Sequence, residues 1–158
     1  MLDRLPYIPL FQDLSPGESD LLKPLFENYS CPAGTVIFEQ GDPATHLYVI
    51  MSGTVIIQYK PYDGNPIVLT RLGSGDVFGW SAVIGTSKYT SSIVSEKRVE
   101  ALRVRREHLW ELVQKSPAVG KTVIDRLARM VSPRWENAHA QIQRLLETKR
   151  PGQTGLRL

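Results

Sequence analysis

The chain has 158 residues, 42% of them hydrophobic and 22% charged, with a formal net charge of +3. This length supports one domain with an adequate core plus an extra helix or tail, and the composition is that of an ordinary globular protein. A lone cysteine, Cys31, excludes an intramolecular disulfide and a cysteine metal cluster, and no apolar run approaches the roughly 18 residues that span a bilayer. Met1-Leu2-Asp3-Arg4-Leu5-Pro6 lacks the basic segment and apolar run of a signal peptide, so a cytoplasmic protein without membrane insertion is expected. The charge is uneven: residues 1–115 carry −2 and residues 116–158 carry +5. A basic end of this kind serves either as a solvated helix face or as a contact for nucleic acid, an anionic membrane or an acidic partner.

Taken in chain order, residues 8–28 have helical spacing through Leu10, Phe11, Leu14, Leu21, Leu22, Leu25 and Phe26. Ser15 is the expected N-cap, with Pro16 at the first helical position and Glu18 completing a capping box. From about residue 29 to 105 the pattern changes to short β-branched and aromatic runs: 36–38, 47–50, 55–59, 67–69 and 99–104. Turns fall at Pro32-Ala33-Gly34, Gly41-Asp42-Pro43, Asp63-Gly64-Asn65 and Gly73-Ser74-Gly75. Short strands at this spacing predict a sandwich or barrel. Helical spacing returns at Arg106, first through Leu109, Leu112 and Val113, then in a long helix from about Pro117 to Lys149.

Gly75-Asp76-Val77-Phe78-Gly79-Trp80-Ser81-Ala82-Val83 and Tyr89-Thr90-Ser91-Ser92-Ile93-Val94 carry the clearest functional signal. A short strand ends at a glycine, a helical turn follows, and small hydroxyl residues lead into the next strand. Free backbone N–H groups around a helix start favour an anion.

Four motifs in register extend this signal: Pro32-Ala33-Gly34-Thr35-Val36-Ile37-Phe38-Glu39-Gln40-Gly41-Asp42, Leu47-Tyr48-Val49-Ile50-Met51-Ser52-Gly53-Thr54-Val55, Gly73-Ser74-Gly75-Asp76-Val77-Phe78-Gly79, and the opening Phe11-Gln12-Asp13-Leu14-Ser15. Together they resemble the cyclic-nucleotide-binding domain of the Crp/Fnr-like superfamily over residues 10–147. The resemblance implies a mainly β fold, a jelly-roll-like double-stranded β-roll with short N-terminal helices and a long C-terminal helix. The corresponding organisation is a β-roll with N-terminal helices over 1–116, a dimerisation or lid helix over 117–149 and a tail over 150–158. The nine tail residues are too few for a helix-turn-helix, so the sensor half alone is expected and direct sequence-specific DNA binding is not.

The resemblance makes the segment around Gly79 a phosphate-binding cassette, and implies ligand contacts from Phe78, Gly79, Trp80, Ser81, Ala82, Lys88, Thr90, Ser91, Ser92, Arg134 and Trp135. The family carries a glutamate for the ribose 2′-hydroxyl just after the glycine, and an arginine for the cyclic phosphate just before the small pair Ser91-Ser92. Here those positions hold Trp80 and Thr90. Lys88 offers a replacement charge, though not a guanidinium fork. Backbone N–H groups near Ser81 and Ala82, with the hydroxyls of Ser81, Thr90, Ser91 and Ser92, can hold a phosphate or carboxylate. Trp80 offers a stacking face or fills the ribose volume. The ligand is thus a cyclic nucleotide, another small anion, or none.

On the last helix Ile124, Leu127 and Val131 form a seam that Trp135, Ala138, Ile142 and Leu145 continue with a phase shift. Such a seam means homodimer pairing or docking on the domain core, and Pro133 predicts a kink at the break. Arg134 is an anion contact or an exposed arginine, and Trp135 a dimer residue or a base-stacking one.

Enzymatic readings lack support in the pattern. His46, His108 and His139 show no ligand spacing, so no metal is expected. Cys31 has no histidine beside it in sequence and reads as a half-buried small residue or a redox thiol. Three functions stand: a sensor of a small anionic ligand in signal transduction, a ligand-free interaction module acting through its final helix on a protein partner, and a transcription-regulator component whose DNA-reading head is on another chain.

Overall fold

The computed structural model describes residue 12 and residues 14–84 and 87–130. Helix α1 (Pro16–Leu22) opens with the expected capping box: the Glu18 N–H donates to Ser15 Oγ (3.2 Å) and the Ser15 N–H to the Glu18 carboxylate (3.0 Å). Hydrogen bonding from the Ser15 backbone N–H first, and from its side chain second, holds the Glu18 carboxyl below the usual carboxylate range. The helical pattern expected through residue 28 stops earlier. A 3-10 turn at Lys23–Leu25, with Pro24 inside it, gives way to strand β1 (Phe26–Cys31). Pro24 has no N–H to continue a helix, and β1 instead pairs along its whole length with a strand far away in sequence.

The remaining elements are β2 (Val36–Phe38), β3 (His46–Ser52), β4 (Val55–Tyr59), β5 (Ile67–Leu72), β6 (Val77–Phe78), α2 (Ser81–Ile84), β7 (Ser92–Ser95), β8 (Val99–Arg105), α3 (Arg106–Lys115) and α4, described over Pro117–Met130. They form two antiparallel four-stranded sheets, ordered β1-β8-β3-β6 and β2-β7-β4-β5. This is the expected β-roll with flanking helices.

The first sheet is buried on both faces, which explains why residues 47–50 form an unbroken apolar run. Successive side chains alternate. Tyr48, Ile50, Phe78 and Ala101 join Phe38, Ile57, Leu72 and Ile93 of the second sheet in one cluster. Leu47, Val49, Val77, Leu102 and Val104 face the other way, against Leu22 of α1, Leu109 and Leu112 of α3, and Val123 and Leu127 of α4. Leu127, expected in a helix seam, is therefore fully buried in the domain's own core, whereas Ile124 is only half-buried.

Two glycines outside the cassette permit close approaches. Gly53, at φ +96°, turns β3 into β4 where a Cβ would lie 2.1 Å from the Arg98 carbonyl oxygen. Gly120 lets α4 cross α3, since a Cβ there would meet Val113 Cα at 2.6 Å. No described helix is long and apolar enough to cross a membrane.

Candidate functional site

The cassette leaves β6 at Gly79, whose φ of +82° no L side chain adopts without strain. A Cβ at Gly79 would lie 2.7 Å from the His46 carbonyl oxygen, so the cassette begins pressed against the first residue of β3. One helical turn, α2, follows. Its Ala82 N–H donates to the Gly79 carbonyl (3.1 Å) and its Val83 N–H to that of Trp80 (2.9 Å). The Ala82 donor expected to face an anion is thus already satisfied inside the turn.

The cassette returns beside residues 41–44. The Tyr89 N–H donates to the Asp42 carbonyl (2.9 Å), the Gly41 N–H to that of Tyr89 (2.9 Å), and the Ala44 N–H to that of Ser87 (3.0 Å). Tyr89 is the anchor: its ring stacks on Phe38 at 3.5 Å and 8°. Its hydroxyl donates to the His46 carbonyl (2.7 Å) and accepts from the His46 N–H (3.0 Å). Burial pushes the Tyr89 phenol up, which keeps it a donor. Both ends of the cassette therefore rest on the backbone of His46.

The exit is fixed by a second network. Ser92 Oγ accepts from the Gln40 N–H (2.8 Å), and the Gln40 amide pairs with both backbone groups of Lys60 (2.8 and 3.1 Å). Lys60 is ion-paired with Glu39. The Ser92 hydroxyl, expected at the ligand, is thus engaged in holding the cassette to the segment that follows β2. Phe78 is fully buried and stacks on Tyr48 at 4.6 Å and 8°, so it belongs to the inter-sheet core.

Trp80 is half-buried and packs with Val83 against the cluster beneath the helices. Lys88 and Thr90 are exposed. Ser81 and Ser91 are 8% and 7% exposed, and neither hydroxyl is among the buried side-chain atoms without a hydrogen-bond partner. Val131, Arg134, Trp135, Ala138, His139, Ile142 and Leu145, with the kink expected at Pro133, lie outside the described residues. Among the described residues no cluster of His, Cys, Asp or Glu is arranged to hold a metal.

Sequence reasoning missed the anchoring roles of Tyr89 and Gln40, the part played by Lys60 and the pivot role of His46. Their partners lie 20 to 52 residues away in sequence, so the motifs that contain Tyr89 and Gln40 mark the region without showing these contacts.

At the end of the cassette, Val83 of α2 joins Trp110, Val113 and Gln114 of α3 and Ile124 of α4 in lining an open groove of about 380 Å³.

The family model of the cyclic nucleotide-binding domain matches residues 29–116. The cyclic AMP receptor protein of Thermus thermophilus is 33% identical over 121 residues, which are 77% of this chain and 56% of that protein. The chain thus spans just over half the length of that relative. A cyclic nucleotide-binding domain from Methylobacillus flagellatus superposes with a TM-score of 0.74 at 23% identity, covering 98% of this chain and 84% of that one. The regulatory subunit of a cAMP-independent protein kinase A from Trypanosoma brucei superposes with a TM-score of 0.70 at 22% identity, covering 89% and 50%. These last two likenesses speak to the fold.

Proposed function

Because the chain belongs to the cyclic-nucleotide-binding domain family, we propose that it is a non-enzymatic regulatory sensor of a small anionic ligand, with specificity for cAMP and cGMP altered or lost. One observation carries this reading: the cassette keeps its glycine turn and the largely buried serines Ser81 and Ser91, while Trp80 and Thr90 stand where the family resemblance implies glutamate and arginine.

The magnitudes favour a changed ligand. A charge-assisted contact to phosphate contributes about 1.5–3 kcal/mol, or roughly 10- to 100-fold in affinity. Thr90 supplies none of it, and exposed Lys88 brings a flexible point charge. The Ser81 and Ser91 hydroxyls still suit a phosphate or carboxylate. Trp80, turned toward the helix-side core with Val83, couples the cassette to the packing of α3 and α4. A ligand that favours one arrangement of the cassette over another would shift those helices with it.

The output is a homodimer contact, or a protein partner, at the end of the final helix, through Ile124 and the seam of Val131, Trp135, Ala138, Ile142 and Leu145. The competing reading, a ligand-free interaction module, draws support from the exposed groove beside Trp110.

Calorimetric titration of the ligand-stripped protein and of Thr90→Arg with cAMP and cGMP, in phosphate-free buffer, tests the sensor reading. The expected result is weak or no nucleotide binding by the wild type and a gain of roughly 10- to 100-fold in Thr90→Arg. Tight nucleotide binding by the wild type contradicts altered specificity. No gain in Thr90→Arg, and no stabilisation of the wild type by phosphate or small carboxylates, favours the ligand-free module.

A further inference from the structure

We propose that His46 is a proton-responsive positioning residue for the cassette: its neutral form holds the Gly79 and Tyr89 ends together, and its protonated form releases them. The inference concerns how the cassette is held and needs no ligand.

The geometry supplies both halves of the device. The backbone of His46 carries the cassette, through the close approach of Gly79 and the two hydrogen bonds to the Tyr89 hydroxyl. The side chain of the same residue is 14% exposed. Its Nδ1 bonds Thr45 Oγ1 (2.8 Å), while its Nε2 is buried without a hydrogen-bond partner. Glu27 of β1 lies 3.5 Å from Nε2, but its carboxylate is already taken by Arg103 Nε at 2.7 Å. Arg103 and Arg105 of β8 oppose a positive charge on the ring, and Glu107 of α3 favours it. The Tyr48 ring stands 6.2 Å away on the same strand, and the Tyr89 phenol is held neutral by burial.

Desolvation comes first and the Arg103 charge second in holding the His46 pKa below its ordinary 6.5. A folded-state value below the unfolded one means that the intact site binds the proton less well than the opened one. Its stabilising contribution is therefore fully present above about pH 6.5 and is lost as the pH falls toward the folded value. An imidazolium formed there is relieved by moving out to water, and it takes with it the strand end that carries Gly79 and Tyr89.

Amide hydrogen exchange of the ligand-free protein, corrected for intrinsic rates between about pH 7.5 and pH 5, reads this directly. In the wild type, protection of residues 77–83 and 87–92 is expected to fall severalfold below about pH 6.5 while that of β3 and β8 around Ile50 and Ala101 holds. In His46→Gln that pH dependence disappears. In Glu27→Gln, which removes the charge that favours the proton, the onset moves to lower pH. Cassette protection that does not vary with pH in the wild type overturns the proposal, as does an unchanged pH dependence in His46→Gln. Should His46→Gln fail to fold, an unmoved onset in Glu27→Gln overturns it. Because no ligand is present, this outcome is separate from that of the nucleotide titration.

Discussion

The cluster between the sheets and the cluster beneath the helices are built from different materials. Between the sheets, Phe38 stacks on Tyr89, Tyr48 stacks on Phe78, and Tyr29 meets Tyr48 edge-on at 5.4 Å. Rings locked in this way have few alternative packings. Beneath the helices the buried side chains are leucines and valines with one phenylalanine, Phe26. Aliphatic side chains repack with smaller losses when volume is kept. The cassette is strung between the two: Val77, Trp80 and Val83 belong to the helix side, Phe78 and Ala82 to the inter-sheet side. The difference teaches that one core fixes the cassette while the other can follow it.

Substitutions in each core separate their roles. Phe78→Ala removes a fully buried stacked ring, and urea unfolding should show a loss of about 3–5 kcal/mol. Gly79→Ala strikes the junction of the two cores. The left-handed φ and the His46 carbonyl together should cost about 2–3 kcal/mol, measured as a lower midpoint in guanidinium, with loss of any ligand stabilisation. Leu127→Met, a swap that keeps volume on the aliphatic side, should cost less than about 1.5 kcal/mol by thermal unfolding. A larger loss there would show that the helix-side core is as inflexible as the ring stack. Ser15→Ala touches neither core and removes one helix cap, so a decrease of about 1 kcal/mol by circular dichroism melts serves as the reference.

Much of this fold can be read in the sequence because its signals are local. The Ser15 capping box, the alternation in β4 and the turn glycines need only near neighbours, and Gly34, Gly41, Gly53 and Gly75 all have positive φ. Residues 26–28 read as helix because Phe26 falls on the α1 period, and only pairing with Leu102, Arg103 and Val104 makes them a strand. The same limit applies to the site. The chain order of Gly79, Ser81, Ser91 and Ser92 marks the cassette. Nothing near Tyr89 in sequence foretells its bond to His46, or that Ser92 is used on Gln40. Leu127 belongs to an apolar seam in the sequence, but a seam does not say which surface it meets.

The most direct test of a cassette shared by two cores is amide hydrogen exchange in Leu127→Ala, whose cavity lies in the helix-side cluster alone. Residues 77–83 are expected to exchange severalfold faster than the global loss of stability explains, while Ile57 and Ile93 change only with that global loss. Cassette exchange that merely tracks global stability would contradict the account, because α4 would then have no hold on the cassette.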